Sequence, residues 1–104
     1  MATAYGFQIT REQYGAIVQV LVVGEVDLAT APQLHQLLGR EPRDGPGIIV
    51  VDLSEVTFMD SSGLHALVVA HEDHGERLGI ILSPPAARLI DLVGLRDTLP
   101  IIEG

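Results

Sequence analysis

Residues 47–54, "GIIVVDLS", form an apolar run with almost no polar alternation. A strand with one wet face alternates apolar and polar residues, whereas an unbroken run marks a strand covered on both faces, as in parallel sheets between helices. "LGIIL", residues 78–82, is a second run of this kind. Between the two, Leu64, Leu67, Val68 and His71 fall at helical spacing, and Leu34, Leu37 and Leu38 form a similar stripe before the first. Strands alternating with helices make βαβ units, whose crossovers are right-handed by default. This pattern restricts the chain to an α/β fold.

The flanking segments complete the order β-β-α-β-α-β-α. "YGFQITRE" alternates, with Tyr5, Phe7 and Ile9 on one face, and "EQYG", residues 12–15, supplies a turn into a second strand over 16–26. The two strands are expected to pair antiparallel. "TAPQLHQLLG", residues 30–39, is predicted to be a helix capped by Thr30, with Gln33 at the capping-box spacing and Pro32 tolerated in the first turn. "EPRDGPG", 41–47, is a loop. "SPPAARLIDLVG", 83–94, is a helix capped by Ser83, opened by Pro84 and closed by Gly94, with Ala86, Leu89, Ile90 and Val93 as its stripe. "LRDTLPIIEG" is expected to hold one more helical turn and a short edge strand. The predicted fold is a small mixed sheet of four to five strands, an antiparallel N-terminal hairpin plus parallel βαβ units, with helices packed on it. No linker or repeat interrupts residues 1–104, so one domain is expected. In such sheets function gathers at the carboxyl ends of the strands. That would bring "GEVDLATAP" near "TFMDSSG".

Composition removes several chemistries. The chain of 104 residues is 47% apolar, and a domain of this size buries roughly 65% of its unfolded surface. It has no cysteine, which excludes disulfides, thiolate metal sites and a cysteine nucleophile. All six basic residues are arginine, so Schiff-base chemistry, a Walker A lysine and a Ser-Lys pair are excluded. Net charge is −8, unsuited to nucleic acid or an anionic membrane and suited to a protein partner with a basic patch. No basic segment followed by a long apolar one opens the chain, and no run reaches the ~20 residues of a membrane span. A cytoplasmic protein, monomer or weak dimer, is expected.

The remaining polar feature is "FMDSSGL", residues 58–64: two serines at a strand-to-helix junction. One cap, from Asp60 or Ser61, satisfies the helix start and contributes about 1 kcal/mol. At least one serine is then surplus. A nucleophile would need a base and an oxyanion hole. His65 lies one helical turn on, but no orienting acid is apparent, and Asp-Ser-Ser-Gly is not a nucleophile elbow. Modification fits the placement better. A phosphate in the first turn of a helix is stabilised by about 0.3–1 kcal/mol, so the fold would tolerate it.

These residues carry a resemblance. "VDLSEVTFMDSSGLHAL", "GEVDLATAP" and "GIILSPPAARLIDLVGLRDTLPI" resemble the STAS domain, in particular the bacterial anti-sigma factor antagonists, over nearly the whole chain. The resemblance implies a protein that is not an enzyme. Unphosphorylated, it would bind an anti-sigma factor serine kinase and release the sigma factor. The kinase would phosphorylate it, and a serine phosphatase would reset it. It implies Ser62 as phosphoacceptor, with Ser61 structural or secondary. It places Asp27, Asp60, Ser61, Gly63 and His65 at the partner surface, with Gly63 allowing close approach of the partner's backbone. His65 departs from the small residue common there and is expected to tune partner choice.

Other readings carry less. A STAS-type interaction subunit of a lipid-transport or stress-signalling assembly is the first alternative, a small serine hydrolase the second. His71 and His74, in "HEDHG", have a conceivable metal spacing but read better as a solvated helix end; no metal or cofactor is expected. Phe58 and Met59 read as core. Asp52 and Asp60 suggest a receiver domain, but the lysine such domains use is missing.

Overall fold

The computed structural model describes residues 6–103. Four strands, β1 (Phe7–Tyr14), β2 (Ile17–Val26), β3 (Ile48–Met59) and β4 (Leu78–Ile81), form one sheet in the order β1-β2-β3-β4. β1 and β2 are antiparallel; β2–β3 and β3–β4 are parallel. Helices α1 (Ala31–Gly39), α2 (Ser61–His74) and α3 (Pro84–Leu92) follow β2, β3 and β4, with a short 3-10 turn at Gly75–Arg77. The mixed α/β sheet predicted from the sequence is present. Its fifth strand shrinks to a single parallel bridge between Ile80 and Ile101.

The hairpin is tighter than expected. β1 runs through Tyr14, and only residues 15 and 16 turn. Gly15 takes φ 60°, the left-handed conformation that a two-residue connection needs and glycine adopts without strain. Phe7 and Ile9 face inward as predicted; Tyr5 lies outside the described residues.

β3 is longer than the apolar run that revealed it. Its register with β2 shifts twice, between Leu21 and Val23 and between Gly24 and Glu25. Each shift sets an extra β3 residue against β2, as a bulge does, which bends and twists the strand end. Inward positions therefore run Leu53, Val56, Met59, a spacing of three that hides a strand from a period-two search. The second shift sets Phe58 against Glu25. Phe58 is 48% exposed, which corrects its assignment to the core, while Met59 is buried.

The core joins Val20, Val22 and Val26 of β2 and Ile49, Val51 and Leu53 of β3 to Leu34 and Leu38 of α1, Leu67 of α2 and Ile90 of α3. Each fully buried side chain of this size contributes about 1.5–3 kcal/mol. α3 starts as predicted, with Ser83 Oγ accepting from the Ala86 amide at 3.4 Å. Its stripe is narrower: Ala86 and Ile90 are buried, but Val93 is 48% exposed.

The ends of the helices remote from the double serine are tied together. Arg11 Nε donates to Glu41 Oε2 at 2.6 Å, joining β1 to the end of α1, and Arg43 pairs with Asp73 at 2.9 Å. His74 is buried, with Nε2 2.9 Å from the Leu38 carbonyl oxygen. The expected solvated helix end is thus wrong for His74. Its ring docks α2 on the last turn of α1, at a carbonyl that also accepts from the Glu41 amide at 3.3 Å. No cluster of three or more metal-ligating side chains occurs among the described residues.

Candidate functional site

Parallel pairing puts the carboxyl ends of β2 and β3 side by side. Val26 pairs with Met59, and the Asp60 amide donates to the Val26 carbonyl at 3.1 Å. The loop after β2 and the start of α2 are therefore neighbours, as the sheet argument predicted.

Asp27 builds that loop. Its Oδ1 accepts from the amides of Ala29 (2.9 Å) and Thr30 (3.1 Å), and its backbone carbonyl from those of Thr30 and Ala31. Thr30 does not cap α1 with its side chain, contrary to the capping-box expectation. It is buried, with α-helical backbone angles, and its hydroxyl turns back to donate to the Glu25 carbonyl at 2.8 Å and accept from the Asp27 amide at 2.9 Å. A side chain anchored to the preceding strand cannot also reach forward to its own helix.

Asp60 is the cap of α2. It has an extended backbone, and its Oδ1 accepts from the Ser62 amide at 2.8 Å. The question posed by the two serines is thus answered at the local level: neither hydroxyl is needed for capping. Among the described residues, the side-chain hydrogen bonds of this pole belong to Asp27, Thr30 and Asp60, and none joins a serine to a histidine. Ser61 is exposed and Ser62 half-buried. Both line a cavity of about 470 Å³ between α1 and α2, with Leu28, Ala31, Pro32, His35, His65 and Ala66. Leu28 stands out, 78% exposed.

Gly63 faces the other way. It is buried, and a Cβ on it would lie 2.7 Å from Val26 Cγ1 and 2.9 Å from Met59 Cγ. Glycine at this position lets the first turn of α2 sit on the sheet, an internal packing role beside the partner approach expected from the sequence. His65 is exposed, as predicted, on the same strip as the serines. The sequence reading missed His35 and Leu28. Leu28 carried a faint signal, a bulky apolar residue inside a polar turn.

Residues 8–103 match the family model described as STAS domain. The chain belongs to the STAS family. Its relatives include the anti-sigma-B factor antagonist of Staphylococcus aureus, 36% identical over 90 residues that cover 83% of each chain. The anti-sigma-F factor antagonist RsfB of Mycobacterium tuberculosis is 31% identical over 106 aligned residues, 99% of this chain and 87% of its own. A crystal structure of an anti-sigma factor antagonist from Mycobacterium paratuberculosis superposes with TM-score 0.84 at 33% identity, covering 100% of this chain and 92% of that one. The STAS sheet with its antiparallel first pair is thus a frame shared with anti-sigma factor antagonists. No helix among the described residues is long and apolar enough to cross a membrane.

Proposed function

We propose that residues 1–104 work as one STAS domain in the cytoplasm, an anti-sigma factor antagonist and not an enzyme. Unmodified, it binds an anti-sigma factor serine kinase through the Ser62 pole and frees the sigma factor. Phosphorylation of Ser62 ends the complex. Ser62 Oγ forms a bond to the γ-phosphorus of ATP, the bond to ADP breaks, and the hydroxyl proton passes to a base of the kinase. A serine phosphatase hydrolyses the phosphoester and resets the protein. Asp27, Asp60, Ser61, Gly63 and His65 surround the acceptor in this reading, with Ser61 the secondary acceptor.

The observation that carries the reading is that Asp60, not a serine, caps α2. The Ser62 hydroxyl is left at a surface cavity, where its modification breaks no hydrogen bond of the fold. A phosphate there adds about −1.5 to −2 charge beside Asp60 and Asp27. Two unit charges 4 Å apart interact by about 1 kcal/mol in water and about 4 kcal/mol near a protein surface. Like charge on a docked partner would therefore cost tenfold or more in affinity.

The test is intact-mass analysis after incubation with ATP and candidate anti-sigma kinases, followed by peptide mapping. One phosphate on Ser62, absent in Ser62→Ala, is expected, as is at least tenfold weaker kinase binding by Ser62→Asp. Full affinity in Ser62→Asp would refute the charge switch. No phosphate with any kinase, on folded protein, would favour an interaction subunit of a lipid-transport or stress-signalling assembly.

A further inference from the structure

We infer that His35 and His65 form a pair that reads the phosphate on Ser62 and makes its effective charge depend on pH. The inference rests on Ser62 being the modified residue, as proposed above.

Of the side chains lining the cavity beside Ser62, only those of His35 and His65 can become cationic. The chain has no lysine, and none of its six arginines lines this cavity. Arg11, Arg43 and Arg96 are paired with acids elsewhere, and Arg77 donates to the carbonyls of Pro42, Arg43, Pro46 and Gly47. His65 is three residues after Ser62 and four after Ser61, the spacings that bring side chains together on one helix face. His35 reaches the same cavity from α1, four residues after Ala31 and three after Pro32, which also line it.

The other charged groups around the pair are acids. They are Asp27 in the loop before α1 and Asp60 at the cap of α2; Glu25 alternates with Val26, whose side chain faces α2, and so projects from the other face of the sheet. Along α1 the next charged residue is Arg40, beyond the helix end. Along α2, the next titratable groups after His65 are His71 and Glu72. A phosphate on Ser62 would therefore meet acids that repel it and two imidazoles that, protonated, attract it.

A lysine or arginine cradle would neutralise the phosphate at every physiological pH. Imidazole is the side chain whose charge changes within that range, and a phosphoserine loses its second proton near about 6. Each charged form favours the other. The phosphate is thus shielded in mildly acidic solution and bare above neutrality, where it would repel a partner most strongly.

The experiment installs phosphoserine at position 62 during translation, so no kinase is involved. The phosphorus-31 resonance is followed across pH 5–8 in the parent, His35→Gln, His65→Gln and the double variant, with circular dichroism confirming the fold. The parent midpoint should lie below that of the double variant by roughly half a unit, with the single variants between. Coincident midpoints in folded parent and double variant would overturn the inference. So would the same shift surviving in the double variant relative to a free phosphoserine peptide, because the helix terminus would then account for it. Failure of every kinase to modify Ser62 would count against the proposed function while leaving this titration able to judge the histidines.

Discussion

Gly63→Ala tests the packing under the Ser62 pole. The substitution adds one methyl to the third residue of α2. In an open helix site, alanine for glycine stabilises by about 0.5–1 kcal/mol, because the unfolded chain has less freedom to lose. Here the new Cβ would stand 2.7 Å from Val26 Cγ1 and 2.9 Å from Met59 Cγ. Both neighbours are buried, at 0% and 5% exposure, so neither can swing into solvent. Inserting a methyl into such a site costs about 1–3 kcal/mol. The net expectation is a loss of roughly 0.5–2 kcal/mol, or a fall in Tm of roughly 3–12 °C for a domain of this size. Gly39→Ala is the internal control. Gly39 ends α1 with nothing within 4 Å of its Cβ position, so the same change there should leave stability equal or slightly raised. Urea and thermal unfolding by circular dichroism measure both. A Gly63→Ala protein that melts at or above the parent, with an unchanged urea m-value, would refute the close approach of α2 to β2 and β3.

Two further outcomes follow from individual contacts. Asp60→Ala should cost about 1 kcal/mol in urea unfolding through loss of the Ser62 amide bond, while Asp60→Asn, which can still accept it, should stay within a few tenths; equal losses would refute the capping role. The hydrogen-bonded Arg96 guanidinium holds the Asp91 carboxyl below the ordinary carboxylate range. Its stabilising contribution is present above the unfolded-state value and is lost as pH falls through the depressed one. Arg96→Gln should raise the Asp91 midpoint in a carboxyl-carbon NMR titration. Because the pair is exposed, Tm at neutral pH should hardly change. An unmoved midpoint would refute the assignment.

Most of the frame was legible because its signals are local. The unbroken runs at 47–54 and 78–82 mark the central and outer parallel strands, and Ser83, Pro84 and Gly94 bracket α3 with cap chemistry read from types alone. The misreadings share a different cause, since each depends on what lies across from the residue. Bulges are invisible without the partner strand, so β3 seemed to end at residue 54 and Phe58 seemed buried. Thr30 has the right type and spacing for a cap, but its hydroxyl is held by the Glu25 carbonyl of the strand behind it. His74 looked solvated within a polar segment until α1 came to rest on it. At the candidate site the sequence suffices to find Ser61, Ser62 and His65, which are close in the chain. His35 comes from another helix, and only the crossover brings it to the cavity.

The division of roles between carboxylates and hydroxyls explains why this junction could be modified without being dismantled. Asp27 and Asp60 both turn an oxygen toward backbone amides, one to fold the loop and the other to start α2. If Ser62 itself closed a hydrogen bond of the fold, phosphorylation would remove a stabilising contact while adding charge, and the two effects on a partner could not be separated. With the Ser62 amide already bound to Asp60, a phosphate on the same residue would gain the field of the helix terminus without displacing the cap. The added charge would then act mainly outward, on whatever docks against Leu28 and the cavity behind it. A partner could be dismissed by electrostatics while the sheet, the loop and α2 keep their geometry for the next cycle.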